Sequence, residues 1–184
     1  MAQIMTLCAV ALILPDQIEQ ILDNLRGDYN RYMNYIDIPH LTLVYPFVPE
    51  VDITIVNEKL EEVAKRTKPF TLVLNGIEYF EGDNNVAYAA IENKRPVIDL
   101  HTDIIHSLNG LIKEEYTNGQ FNLDRFIPHV TIGEHIPDVV FLTVKKTFAD
   151  YQLHYEIKIG SFALASSGED GIWKTTRLFE LTGK

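Results

Sequence analysis

Two histidines each stand two positions before a threonine, and both do so inside one hexapeptide pattern. It reads Ile-Pro-His-Leu-Thr-Leu from Ile38 to Leu43 and Ile-Pro-His-Val-Thr-Ile from Ile127 to Ile132. A proline fixes its own φ and biases the preceding residue toward extended backbone, so Pro39 and Pro128 start strands. Side chains alternate along a strand, which puts His40 and Thr42 on one face and Leu41 and Leu43 on the other. His129 and Thr131 oppose Val130 and Ile132 in the same way. The aliphatic face suits packing on helices, whereas the His-Thr face must meet water, a ligand or a polar partner. An imidazole exchanges a proton near neutral pH, its ordinary pKa being about 6.5. A threonine hydroxyl donates a hydrogen bond to an anionic oxygen. Two such pairs facing each other over a cleft would hold two proton-transfer groups and two oxygen clamps. That equipment suits phosphodiester cleavage without a metal. A neutral histidine removes a proton from the attacking water, and a protonated one supplies a proton to the departing sugar oxygen. The threonines, with imidazolium charge, hold the phosphoryl oxygens. A lone His-x-Thr on a strand is ordinarily structural; two copies in one hexapeptide, at equivalent points of the chain, point to function.

The other reactive side chains form no competing constellation. His101 and His106 are off the i, i+4 spacing that places two ligands together on a helix, and His135 and His154 lack patterned partners. The only cysteine, Cys8, lies in an apolar run, which excludes thiolate zinc sites and reads as a buried thiol. There is no phosphate-binding P-loop, no dinucleotide-binding glycine motif, and no nucleophile elbow around Ser161. The residues therefore call for no metal and no cofactor.

The elements that must position these residues alternate at short intervals. Strand patterns cover Ile4–Leu14, His40–Tyr45, Phe70–Phe80, Val86–Ile91, His129–Gly133, His154–Ala165 and Trp173–Leu181. Turn chemistry in Glu81–Asn85 and Ser166–Gly171 predicts two hairpins. Helical stripes are Ile18, Ile21, Leu22 and Leu25; Val56, Leu60, Val63 and Ala64; and Ile98, Ile105, Leu108 and Ile112 after Pro96, with a fourth helix over Asp138 to Ala149. Asp16 and Glu19 fit a capping box for the first. The order is βαβα ββ, then αβα ββ. Each half reads as a helix-backed antiparallel sheet ending in a hairpin, an α+β pattern with approximate internal duplication. The hexapeptide falls at matching places, on a short strand between two helices.

With 184 residues the chain suits a single domain, spanning 1–184, of two small lobes sharing a core. Roughly 70% of the unfolded surface can be buried at this length, so no disulfide or metal staple is required. The apolar N-terminal run lacks a basic flank, is followed at once by Asp16 and Glu19, and is too short to span a bilayer. It reads as a buried strand, and a cytosolic home without membrane attachment fits. The net charge of −10 argues against tracking of long nucleic acid, which rests on neutralising phosphates. A small anionic ligand in a local pocket remains compatible.

The paired motifs resemble those of the 2H phosphoesterase superfamily, in its 2′-5′ RNA ligase-like, cyclic phosphodiesterase branch. The similarity runs through Pro39–Phe47 and Phe126–Glu134, the segment from Phe70 to Glu92 between them, and the closing stretches from Ile157 to Ser167 and Trp173 to Leu181. It implies an α+β fold of two pseudo-symmetric lobes, each an antiparallel sheet backed by helices, with a central cleft lined by both motifs. It implies metal-free cleavage of 2′,3′-cyclic or related phosphodiesters of nucleotides or RNA ends, with 2′-5′ RNA joining in some members. Carried across, His40 and His129 become the catalytic pair and Thr42 and Thr131 the phosphate ligands. The analogy favours His129 as base and His40 as acid, roles that exchange in the reverse direction. Tyr45, Phe47, Phe126 and Tyr88 are the aromatic residues near the motifs, any one of which could stack on a base, with Tyr45 and Phe126 the candidates for substrate contact and Trp173 at the rim. Many relatives have a basic residue five positions after the second histidine, where this chain has Glu134; a mononucleotide or short RNA end suits that better than long RNA. Arg125, Lys158 and Lys174 are candidate phosphate contacts, each also readable as a surface charge. The alternative is a non-catalytic module of the same fold that binds a nucleotide or an RNA end. The sequence is silent on oligomeric state.

Overall fold

A computed structural model describes residues 7–33, 38–113, 126–168 and 171–184. Among the described residues, eight strands and four α-helices follow in the order β1 (Leu7–Ile13), α1 (Asp16–Arg26), β2 (His40–Phe47), α2 (Ile53–Arg66), β3 (Phe70–Phe80), β4 (Val86–Ile91), α3 (Lys94–Leu108), β5 (His129–Gly133), α4 (Asp138–Phe148), β6 (His154–Ile159), β7 (Ser161–Ser167) and β8 (Trp173–Glu180). A 3₁₀ segment, Gly27–Tyr32, follows α1. The strands form two four-stranded antiparallel sheets, ordered β2-β1-β7-β8 and β5-β4-β3-β6. The α+β class, the two sheets and their helical backing agree with the sequence reading. Residues 4–6 of the expected first strand and Arg125 lie outside the described residues.

The division into lobes differs from the sequence reading. That reading makes each lobe one half of the chain, but the halves exchange hairpins. The β3–β4 hairpin pairs with β5 and β6, while β7–β8 pairs with β1 and β2. The true repeat is therefore β1-α1-β2-α2 against β4-α3-β5-α4, and it places each hexapeptide strand at the edge of its sheet. The segment His154–Ala165, expected as one strand, is two. β6 pairs with β3, the chain turns at Gly160, and β7 pairs with β1 in the other sheet. Alternation continues on both sides of Gly160, so periodicity alone does not reveal the change of sheet.

The helices exchange too. α1 follows a strand of the first sheet but packs on β5 of the second, and α3 packs on β2 of the first. Their buried faces carry Ile18, Leu22 and Leu25 on α1 and Val97, Leu100, Ile104, Ile105 and Leu108 on α3. Ile112 lies beyond α3, in a bridge to Pro49. The expected capping box at Asp16 does not form: Pro15 is the N-cap, with no side-chain cap, and Glu19 turns to Arg26. Helix α2 is capped by Asp52, whose carboxylate accepts from the Thr54 N–H at 2.8 Å. Aliphatic side chains of both sheets and all four helices form one continuous core. No helix among the described residues is long and apolar enough to cross a membrane.

Candidate active site

The two hexapeptide strands show the same burial rhythm. Leu41 and Leu43, like Val130 and Ile132, are buried in the core, and His40, Thr42, His129 and Thr131 are half-buried on the opposite face. Those four side chains line a single cleft of about 420 Å³ between the lobes, a volume within the range of small-ligand sites. Its floor on the first sheet is Ala9, Ala11 and Ala165. Methyl groups at these adjacent strand positions leave open the space that larger side chains would fill.

Each imidazole is oriented by its own strand. Nδ1 of His40 lies 3.0 Å from the carbonyl of Ile38, and Nδ1 of His129 lies 2.8 Å from the carbonyl of Ile127. A carbonyl oxygen only accepts, so Nδ1 carries the proton in both rings. Nε2 is then the nitrogen left for the cleft: an acceptor when the ring is neutral, a donor when it is charged. The residue two places before each histidine thus has a task, and the proline between them fixes the turn that brings its carbonyl back.

His129 sits in an aromatic corner. Its ring meets Phe80 edge to face at 5.1 Å and Tyr88 at 5.2 Å. Burial holds its pKa below the ordinary imidazole value; the Ile127 carbonyl opposes this, the charge of His40 adds to it, and Glu134 opposes it. The hydroxyl of Tyr88 donates to Glu78 at 3.0 Å, and burial followed by that carboxylate pushes its pKa up to about 12. Tyr88 pairs with Thr131 across the β4–β5 ladder, so it braces both members of the second motif.

A β-bulge follows each motif threonine. On β2, Thr42 faces Ala11 and Val44 faces Val10, leaving Leu43 as the extra residue; on β5, Thr131 faces Tyr88 and Gly133 faces Ala87, leaving Ile132. A bulge shifts the alternation by one. The fifth residue after each histidine, Tyr45 and Glu134, therefore joins the cleft lining instead of pointing into the core. Strict alternation read from the sequence could not have placed either there.

Phe47 is wholly buried in the core, and of the other candidates Trp173 and Lys174 line the cleft, beside Thr175 of β8. Phe126 does not. Its ring stacks on His101 at 3.8 Å, nearly parallel, and packs against the core. Lys158 lies away from the cleft, in a groove between α1 and β6. Sequence reading missed the alanine floor, Phe80, and two buried side chains behind the motifs, Arg26 and His101.

A fold of two helix-backed antiparallel sheets with a His-x-Thr edge strand in each is the arrangement of the two-histidine phosphoesterases. A family model described as the 2′-5′ RNA ligase superfamily matches residues 14–171, and the chain belongs to that superfamily. A Bacillus mycoides protein named provisionally as a phosphoesterase is 32% identical over 170 residues, covering 89% of this chain and 91% of its own. The crystal structure of TT0787 from Thermus thermophilus has the same fold, with a TM-score of 0.73 at 21% identity over 97% of this chain and 99% of that one. Escherichia coli LigT gives 0.69 at 17% identity, over 98% and 99%. LigT has also been solved in complex with 3′-AMP, with phosphate and with ATP.

Proposed function

We propose that the protein is a metal-independent phosphoesterase that opens 2′,3′-cyclic or related phosphodiesters of nucleotides or RNA ends. The observation that carries this is the pair of imidazoles lining one cleft, each with Nδ1 tied to the carbonyl two residues back and a threonine beside it. The ester's phosphoryl group rests between them, its oxygens held by the hydroxyls of Thr42 and Thr131. His129, favoured in its neutral form by burial, takes a proton from water on Nε2 as the water oxygen bonds to phosphorus. His40, protonated, delivers its Nε2 proton to the ribose oxygen as the P–O bond breaks. A phosphomonoester and a free hydroxyl result, and the two rings regain their starting states through solvent. With a terminal hydroxyl in place of the water, the same two roles would join it to the cyclic phosphate, the chemistry of a 2′-5′ ligase.

The substrate reading rests on charge and on the cleft lining. The net charge is −10, and Glu134 stands at the cleft, which disfavours extended polyanions. Tyr45 and Trp173 offer faces for one base. The LigT complexes with mononucleotides lend support. The deciding experiment is turnover of a 2′,3′-cyclic nucleotide in EDTA across pH. A bell-shaped profile is expected, with His40→Ala and His129→Ala each losing ~10²–10⁴ in rate. Binding without turnover would establish a non-catalytic module instead, and activity only with added metal would overturn the acid–base reading.

A further inference from the structure

The two bulges are each held from behind, across the lobe boundary, by one buried side chain. On β5 the carbonyl of Ile132 accepts from Nε of Arg26 at 2.7 Å. On β2 the carbonyl of Leu43 lies 2.6 Å from Nδ1 of His101, which must donate to it. Ile132 and Leu43 are the extra residues of the bulges and face no partner across their ladders. They hold the same position, three residues after the motif histidine. Arg26 and His101 come from α1 and α3, the equivalent helices of the repeat, each packed on the edge strand that carries the other unit's motif. The two clamps are thus one device built twice, although a guanidinium and an imidazole share no sequence likeness.

Both clamps are built for rigidity. Arg26 is 1% exposed and His101 3%. A buried guanidinium is costly unless paired, and Nη1 of Arg26 bonds Glu19 at 2.8 Å and Asp23 at 2.7 Å on its own helix. Phe126 lies flat on the His101 ring and fixes its plane. Nε2 of His101 is buried and has no hydrogen-bond partner among the described residues, so the ring's one polar contact there is with the bulge. Burial also keeps His101 neutral, through a lowered pKa. Neither side chain lines the cleft, so neither can touch substrate.

We infer that Arg26 and His101 are positioning residues: Arg26 holds the His129–Thr131 pair, and His101 the His40–Thr42 pair, at the angle where the two imidazoles share one ligand. The catalytic part of this inference rests on the function proposed above; the positioning part does not. The test uses variants of the full chain that separate the donated hydrogen bond from bulk. His101→Leu and Arg26→Met remove the donor. His101→Asn and Arg26→Gln return an amide N–H near the position of Nδ1 or Nε. Arg26→Lys keeps the charge beside Glu19 and Asp23 but lacks the Nε–H, and serves where Arg26→Met does not fold.

On a 2′,3′-cyclic nucleotide, the donor-free variants are expected to lose at least tenfold in kcat with KM changed less than about threefold, and the amide variants to recover most of it. NMR of the imidazole Hε1 and Cε1 signals at one pH reads the same geometry without turnover. His101→Leu should move His40 and leave His129, and Arg26→Met or Arg26→Lys should do the reverse. Equal kcat for donor-free and amide variants, or signals that move together or not at all, would overturn the inference. If the wild type turns nothing over, the proposed function fails, and the NMR arm alone decides the positioning roles.

Discussion

At the scale of single residues, the motif threonines and His129 carry the sharpest expectations. Thr42→Val and Thr131→Val keep the shape of the cleft wall and delete the two hydroxyls proposed to hold the phosphoryl oxygens. A hydrogen bond to a charged group contributes about 1.5–3 kcal/mol, so each change should lower kcat/KM roughly 10- to 150-fold. A loss below threefold in both would remove the threonines from the mechanism. For His129 the sign follows from its environment. Burial depresses its pKa, so the neutral, basic form persists below the ordinary imidazole value of about 6.5. The ascending limb of kcat/KM should therefore lie on the acid side of that value. Glu134 opposes the depression, so Glu134→Gln should move the limb to still lower pH; a shift toward higher pH would contradict the assigned base. The four motif side chains were legible in sequence because their placement depends only on two-residue alternation after a proline. Phe126 was misplaced because adjacency in sequence says nothing of its partner: His101, on α3, takes its face. Arg26 gave no signal for the same reason, since its acceptor at Ile132 is 106 positions away.

At the scale of elements, the bulges decide what faces the cleft, and β5 has little room to move. An added Cβ at Gly133, the residue after the bulge, would lie 2.6 Å from Sδ and 2.8 Å from Cβ of Met33. The Cβ of Met33 is fixed to the backbone and cannot swing aside, so glycine is required here for close approach. Gly133→Ala should destabilise the protein by about 1–3 kcal/mol through overpacking, measured as a lowered urea midpoint at unchanged slope. In a Met33→Gly background the same change should cost much less, because the sulfur and the Cβ it would meet are both gone. Additive losses would mean that the contact does not set the approach of β5. The helices, hairpins and most strand bounds were readable because each has a local cause: an apolar stripe, a turn sequence, a proline. The bulges were not, since Leu43 and Val44 both enter the core and look like ordinary strand residues, and only the partner strand shows which is extra. Gly160 hid the break between β6 and β7 in the same manner, its flanks both reading as strand.

At the scale of the molecule, the exchange of hairpins binds the lobes into one folding unit. Each sheet needs strands from both halves of the chain: the first takes β1 and β2 with β7 and β8, the second β3 and β4 with β5 and β6. The chain passes from one sheet to the other through Gly160 alone between β6 and β7. Arg26 and His101 add hydrogen bonds between each lobe's edge strand and a helix that begins in the other, and the apolar core is continuous. Losing one sheet would expose the helices packed on it and free strands whose sequence neighbours belong to the other, so neither lobe has a self-sufficient core. Unfolding should then be a single transition. Trp173, the only tryptophan, stands on β8 in the first sheet and reports that lobe, while far-UV circular dichroism reports both. The two urea curves should share one midpoint and one slope. A tryptophan transition at lower urea than the circular dichroism would show the first lobe melting alone, and with it that the exchanged hairpins do not couple the two halves of the cleft.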